Sequence, residues 1–260
     1  GAYEMWSTAV KEGVKPIIGI EAYVTPETAR QDQTRVSWDT NWNPDIDTQH
    51  RRRNPNDVSG GGLITHLTMW AETDEGLVNL MKASTDANLE GRVMRYPRMD
   101  KEILAKYSKG IIASSGCPSG IIQTRLLLGQ FDEALRAAGE LQDIFGRDNF
   151  YIEFMDHGLK IEKQVTDGLL DIAKKLNAPL LATNDSHYVR AEDAGSQDAM
   201  LCINSGSTLD EPGRFKFDGT GYYLKSAEEM RELFKYIPEA CDNTLEIAER
   251  CNVMFDDHED

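Results

Sequence analysis

Apolar runs of strand length alternate along this chain with longer stretches of helical period, and that alternation limits the fold more than any other feature. Strands are predicted at residues 16–24, 63–70, 110–114, 150–155 and 178–183, where branched and aromatic side chains gather between polar or glycine-rich breaks. Helical stretches fall between them at 73–88, 100–108, 120–145 and 161–177. Within the third, Leu126, Leu127, Ala134, Leu135, Ala138, Leu141, Ile144 and Phe145 mark one buried face, Gly129 breaks the stretch in two, and Gly146 ends it. Repeated βα units of this kind build a mostly parallel sheet or barrel, and 260 residues is a length that an α/β barrel fills as one domain.

Two regions depart from the pattern. Residues 26–62 form a long polar insertion that includes Arg51, Arg52 and Arg53 and ends in three glycines; it is expected to be a partly mobile flap whose arginines are solvated. Beyond Val189 a helix is predicted at 191–204, and the alternating residues 215–224 read as a β-hairpin. Two further helices follow, the first opened by Ser226 and Glu229 at capping-box spacing and the second running from 238 to 251. The expected division is a main barrel at 1–204 and a C-terminal hairpin with helices at 205–260. The first residue is Gly, so the chain is expected to begin inside a longer protein.

Composition narrows the classes of function. A formal charge of −16 argues against wrapping a nucleic-acid backbone unaided, because phosphate binding relies on Lys and Arg displacing counterions. No run approaches the roughly 18 apolar residues of a membrane span. Four cysteines without a CxxC pair suggest neither a zinc ribbon nor a disulfide framework, so reduced thiols and a cytoplasmic location are expected.

The chemistry gathers at the predicted strand ends. Asp185 and His187 follow the apolar run at 179–181, where parallel α/β folds collect their ligands, and a carboxylate and an imidazole two residues apart can converge on a metal. An Asp capping the next helix beside a hydrogen-bonded His would explain that pair equally well. Glu21 closes an apolar run, so its carboxylate is expected to be buried with a cation or a basic partner. His66 lies inside a strand, where a lone His is more often a satisfied core residue. Cys117 sits in a glycine-rich turn between strand and helix, a position that favours a thiolate, although a small buried filler is the plainer reading. Recurrence of such residues at four successive βα units argues for one multinuclear metal site.

The runs 15–23, 65–68, 115–120 and 182–188 resemble the successive motifs of the PHP domain of bacterial DNA polymerase III alpha subunits, and 214–218 with 222–226 resemble the segment that follows. The resemblance spans essentially the whole chain and is nearest to the actinobacterial replicative form. It implies a distorted (β/α)7 barrel whose first strand or strands precede residue 1, and it carries five metal ligands onto Glu21, His66, Cys117, Asp185 and His187. The other ligands of the family belong to an H-x-H motif, a nearby Asp and a T-D-H motif upstream. His157 is not among the family's ligands and is a candidate for a supporting or substrate-facing role, while His50 and His258 are expected to be solvent-exposed.

The implied activity is metal-dependent phosphodiester hydrolysis, a 3′–5′ exonuclease on DNA ends, with up to three divalent ions, zinc or manganese, and with Asp185 and His187 in catalytic roles. The implied partners are primer-template DNA, reached through the full-length polymerase, and other holoenzyme subunits such as the sliding clamp. Two rivals remain at this point: a non-catalytic scaffold for the polymerase, and a free-standing phosphatase acting on a small phosphoester.

Overall fold

The computed structural model describes residues 1–38, 57 and 59–255. Six strands form one sheet: β1 (Gly19–Val24), β2 (Thr65–Ala71), β3 (Arg98–Met99), β4 (Ile111–Ser114), β5 (Phe150–Phe154) and β6 (Leu180–Ala182), in the spatial order β3-β1-β2-β4-β5-β6. Nine α-helices are described: α1 (Ala2–Lys11), α2 (Asp74–Glu90), α3 (Lys101–Lys106), α4 (Ile121–Leu127), α5 (Phe131–Phe145), α6 (Lys160–Leu176), α7 (Ala194–Ser205), α8 (Ala227–Leu233) and α9 (Pro238–Arg250). The α/β class and the PHP-type layout hold, but among the described residues the sheet is open, with β3 and β6 at its edges.

The mostly parallel expectation needs one correction. β1 pairs antiparallel with β2, and β2 pairs antiparallel with β4, whereas β1/β3, β4/β5 and β5/β6 are parallel. β2 therefore runs against every other strand. Its reason is the connection: no α-helix lies between Val24 and Thr65 among the described residues, and without a helical crossover a strand can return antiparallel beside its predecessor.

The two-residue period of the strands sorts their side chains onto two faces. Leu67, Met69, Ile111, Ala113, Phe150, Ile152 and Phe154 join residues of α2, α5 and α6 in the main core. The alternate residues Ile112, Tyr151 and Leu181 form a second cluster with Ile247 and Cys251 at the end of α9, against which Trp70 packs. β4 and β5 are thus buried on both faces, which is why they read as continuous apolar runs. Trp6 of α1 donates its indole N–H to the Val253 carbonyl at 3.2 Å, joining the first helix to the last described residues.

Local signals explain several boundaries. Gly129, at φ +73°, separates α4 from α5, and Asn177 ends α6 in the left-handed conformation. Thr73 and Asp100 cap α2 and α3, while Ser226 and Glu229 form the expected capping box of α8. The hairpin expected at 215–224 is not formed. That segment makes no strand pair, and Tyr223 instead bridges to Tyr188, because its alternating aromatic residues pack against the site described below.

The beginning of the polar insertion is anchored. Arg98 of β3 is fully buried and donates to four carbonyls, those of Gly91, Leu63, Arg30 and Asp32, at 2.7–3.3 Å. Arg30 in turn pairs with Glu90, Asp100 and Glu102. Glu27 binds Arg125 and Arg136, each at 2.6 Å. The expected flap therefore does not start at residue 26; its remainder at 39–56 and 58, with Arg51, Arg52, Arg53 and His50, lies outside the described residues, as does His258.

Candidate metal centre

One end of the second sheet face is apolar and the other is polar. Trp70, Ile112, Tyr151 and Leu181 fill the apolar end. Continuing along the same face come Glu21 in the middle of β1, Ser114 and Glu153 at the C-terminal ends of β4 and β5, then Thr183 just past β6. His66 reaches this edge because β2 is reversed: it is the second residue of β2 and pairs in register with Tyr23 near the end of β1. An expectation that placed His66 at the carboxyl end of a βα unit had the right location and the wrong strand direction.

Glu21, His66 and Cys117 form a cluster whose ligand atoms all lie within 4.8 Å of one another. His66 Nδ1 is 2.8 Å from Glu21 Oε1 and 3.3 Å from Cys117 Sγ, and the thiol lies 3.8 Å from Glu21 Oε1. Ligands bound to one zinc ion at about 2.0–2.3 Å are about 3.3–3.8 Å apart when tetrahedral. The two separations to Cys117 fall in that range, while His66 and Glu21 at 2.8 Å are at direct hydrogen-bond distance and would part by about 0.5 Å to share an ion of the zinc type.

Two expectations about these residues need correction. Glu21 is not buried: its side chain is 50% exposed, since β1 packs Ala22 and Ile20 against the main core and turns Glu21 the other way. Its expected basic partner is His66. The turn carrying Cys117 does not by itself favour a thiolate, because burial and then the Glu21 carboxylate push the thiol well above its ordinary range.

Asp185 and His187 stand together, Asp185 Oδ1 lying 3.3 Å from His187 Nε2. They do not join the mutual cluster of the other three, but charge couples the groups: His66 acts on Asp185, Asp185 on Cys117, and Glu21 on His187. Burial works to raise the Asp185 carboxyl, and the hydrogen bond and charge of His187 overcome it and hold Asp185 below the usual carboxylate range. The same hydrogen bond raises His187 against its burial. Asp185 adopts φ +43°, a left-handed conformation that Asp tolerates better than most residues and that here aims a carboxylate at the site.

That conformation is imposed by neighbours the sequence reading did not single out. Glu153, fully buried on β5, accepts from Ser114 Oγ, from Gly116 N at 3.0 Å and from Thr183 Oγ1 at 2.5 Å. It thereby ties the turn before Cys117 to the segment before Asp185. Asn184 donates to the carbonyls of Tyr223 and Gly221, at 2.7 and 3.3 Å, and accepts from Lys225 Nζ at 2.7 Å. His157 is buried, holds Glu162 at 2.5 Å through Nδ1, donates from Nε2 to the Asn184 carbonyl at 2.7 Å, and stacks on Tyr222 at 4.1 Å. Both of its ring nitrogens and its ring face are thus taken up by protein groups beside the Asp185 loop. Glu153 was detectable as a carboxylate inside the apolar run 150–154, by the logic applied to Glu21; nothing local marks Asn184 or Lys225 as its clamps.

Comparison with known proteins gives the same direction. Residues 1–157 match the family model described as "PHP domain". The chain is 51% identical over 257 residues to a DNA polymerase III subunit alpha of Mycobacterium tuberculosis, covering 98% of this chain and 21% of that protein. It is 54% identical over 251 residues to the subunit of Saccharopolyspora erythraea, and 38% identical over 255 residues to that of Treponema pallidum. These cover 96% and 98% of this chain and 21% and 20% of the relatives, so the chain spans about a fifth of the length of the curated proteins it matches.

Proposed function

The chain belongs to the PHP domain family, and on that premise we propose that it is the metal-binding part of a DNA polymerase III alpha subunit, acting as a 3′–5′ exonuclease on DNA ends. The observation that carries the reading is the Glu21–His66–Cys117 cluster, a mixed donor set whose ligand atoms lie within 4.8 Å of one another, beside an Asp–His pair held in a strained loop.

In this reading Glu21, His66, Cys117, Asp185 and His187 hold divalent ions, zinc or manganese. When bound, such ions polarise a phosphoryl oxygen and lower the pKa of coordinated water. The chain's own residues do the rest. Glu21 and Asp185 supply fixed negative charge that retains cations next to a polyanionic substrate. In the hydrolysis water would add to the phosphorus as the bond to the 3′ oxygen of the preceding nucleotide breaks, that oxygen leaving with a proton from water, while the Asp185 contact at 3.3 Å holds His187 in place as a ligand. Glu153, His157 and Asn184 fix these groups in place, so that little reorganisation accompanies the reaction.

DNA reaches the site through the polymerase, since a chain with a net charge of −16 gains little from phosphate contacts of its own. Primer-template DNA and other holoenzyme subunits, the sliding clamp among them, are the partners this reading implies.

The test is Asp185→Asn in the intact polymerase subunit. Degradation of a mismatched primer is expected to fall by about 100-fold or more, with less bound metal and unchanged extension of a matched primer. Unchanged metal content and unchanged degradation would leave the domain a brace for the polymerase.

A further inference from the structure

Phe217, whose ring touches His187, also lines a cavity of about 250 Å³ between α7 and residues 216–220. We infer that this cavity binds the base of the 3′-terminal nucleotide of single-stranded DNA, an inference that rests on the exonuclease reading and specifies how its substrate is seated.

Phe217 is the shared wall. Its ring lies edge-on to His187 at 4.6 Å between centroids and packs on Tyr222 at 4.9 Å, while Tyr222 stacks on His157. A continuous row of rings thus leads from the loop carrying Asp185 to the cavity. A base placed there would stand against the ring that itself touches His187.

The lining suits a base without choosing among bases. Phe217 and Tyr188 offer aromatic surface, and stacking on aromatic side chains is tolerant of sequence because every base presents a π face. Gln197 and Thr220 carry both donors and acceptors, so either pattern of base edge finds partners. Lys216 also lines the cavity, and its charge acts on Asp198. The one carboxylate on the wall, Asp198, is neutralised by two 2.6 Å bonds from Arg214. With Lys216 on the wall and Asp198 paired to Arg214, the cavity offers a cationic side chain that suits the phosphate of a nucleotide.

The experiment uses the intact subunit with EDTA present, so that binding is read without cleavage, and single-stranded oligonucleotides bearing 2-aminopurine at the 3′ end. Binding is expected to quench the probe. Phe217→Ala is expected to weaken binding about tenfold and abolish the quench, and Phe217→Trp, which restores a ring, to recover both. An abasic 3′ end is expected to bind the wild-type protein as weakly as the 2-aminopurine probe binds Phe217→Ala. Equal affinity of wild type and Phe217→Ala for the probe, or of abasic and normal ends for wild type, would overturn the inference. Unlabelled primer-template is added first to fill the polymerase site, so that the probe reads binding elsewhere on the subunit. Failure of the exonuclease reading is distinguishable, because it would show as unchanged primer degradation in Asp185→Asn whatever the probe reports.

Discussion

The two halves of the candidate centre are held by different physics. Glu21 and His66 sit on β1 and β2, where the backbone ladder fixes their positions and their side chains are partly open to solvent. Asp185 and His187 sit on an irregular loop whose left-handed turn is maintained by Glu153, His157, Asn184 and Lys225. A ladder-held residue can change its side chain without disturbing the frame. A clamp-held residue depends on side chains elsewhere in sequence, so the loss of one clamp spreads to the site.

The largest expected effect follows from that contrast. Glu153→Ala would leave the buried Gly116 N–H and the hydroxyls of Ser114 and Thr183 without their acceptor, and should cost about 3 kcal/mol or more in denaturant unfolding. A loss under about 1 kcal/mol would mean that the loop is not held from β5.

A smaller effect is expected on the ladder half, where the chain leaving β1 is pinned by Glu27. Burial works to raise its carboxyl, and Arg136 and Arg125 overcome this and hold it below its ordinary 4.5. A depressed carboxyl contributes stability that is present above its unfolded pKa and is lost as pH falls through the folded one. Wild type should therefore lose stability on acidification below about pH 4.5, and Glu27→Gln should be less stable near neutrality, by about 1 kcal/mol, with a shallower acid slope. Parallel acid slopes in urea titrations from pH 7 to pH 3 would remove Glu27 from the anchor.

The smallest effect sharpens the comparison most. Glu21→Gln replaces a half-exposed ladder-held carboxylate, so stability should change by no more than about 0.5 kcal/mol. Metal affinity should fall at the same time, read by competition with a chelator. A large drop in stability would show that Glu21 is also part of the frame.

How much was legible in the sequence follows the same divide. Five strands were visible because each is a short apolar run, and Gly129 showed where α4 and α5 separate. β3 was not, since two residues, one of them a buried Arg, carry no period. The direction of β2 was hidden because alternation encodes faces and not polarity; only the lack of helical period in the sequence at 26–62 hinted at it. Glu21 and His66 could be named because each interrupts an apolar strand run, Cys117 because it sits in a glycine-rich turn after one, and Asp185 and His187 because they follow one. The clamps could not be named in the same way, as Asn184 meets Lys225 across 41 positions and His157 meets the Asn184 carbonyl across 27. The aromatic alternation at 215–224 was real, but it served a row of rings beside His187 rather than a hairpin.

The reversed β2 has a bearing on how such a domain can diversify. Because β1 and β2 pair directly, Glu21 and His66 are brought together by ladder contacts, whatever the length of chain joining the two strands. Doubling a flexible connection costs only about 0.6 kcal/mol in closure entropy. Arg98 and Arg30 fasten its first turns to the body of the domain, so length added beyond Trp38 need not reach the metal-binding edge. The stretch between these two strands is therefore a natural place for relatives to gain or lose residues, while the spacing from β5 to Asp185, which the Glu153 clamp spans, should tolerate almost none.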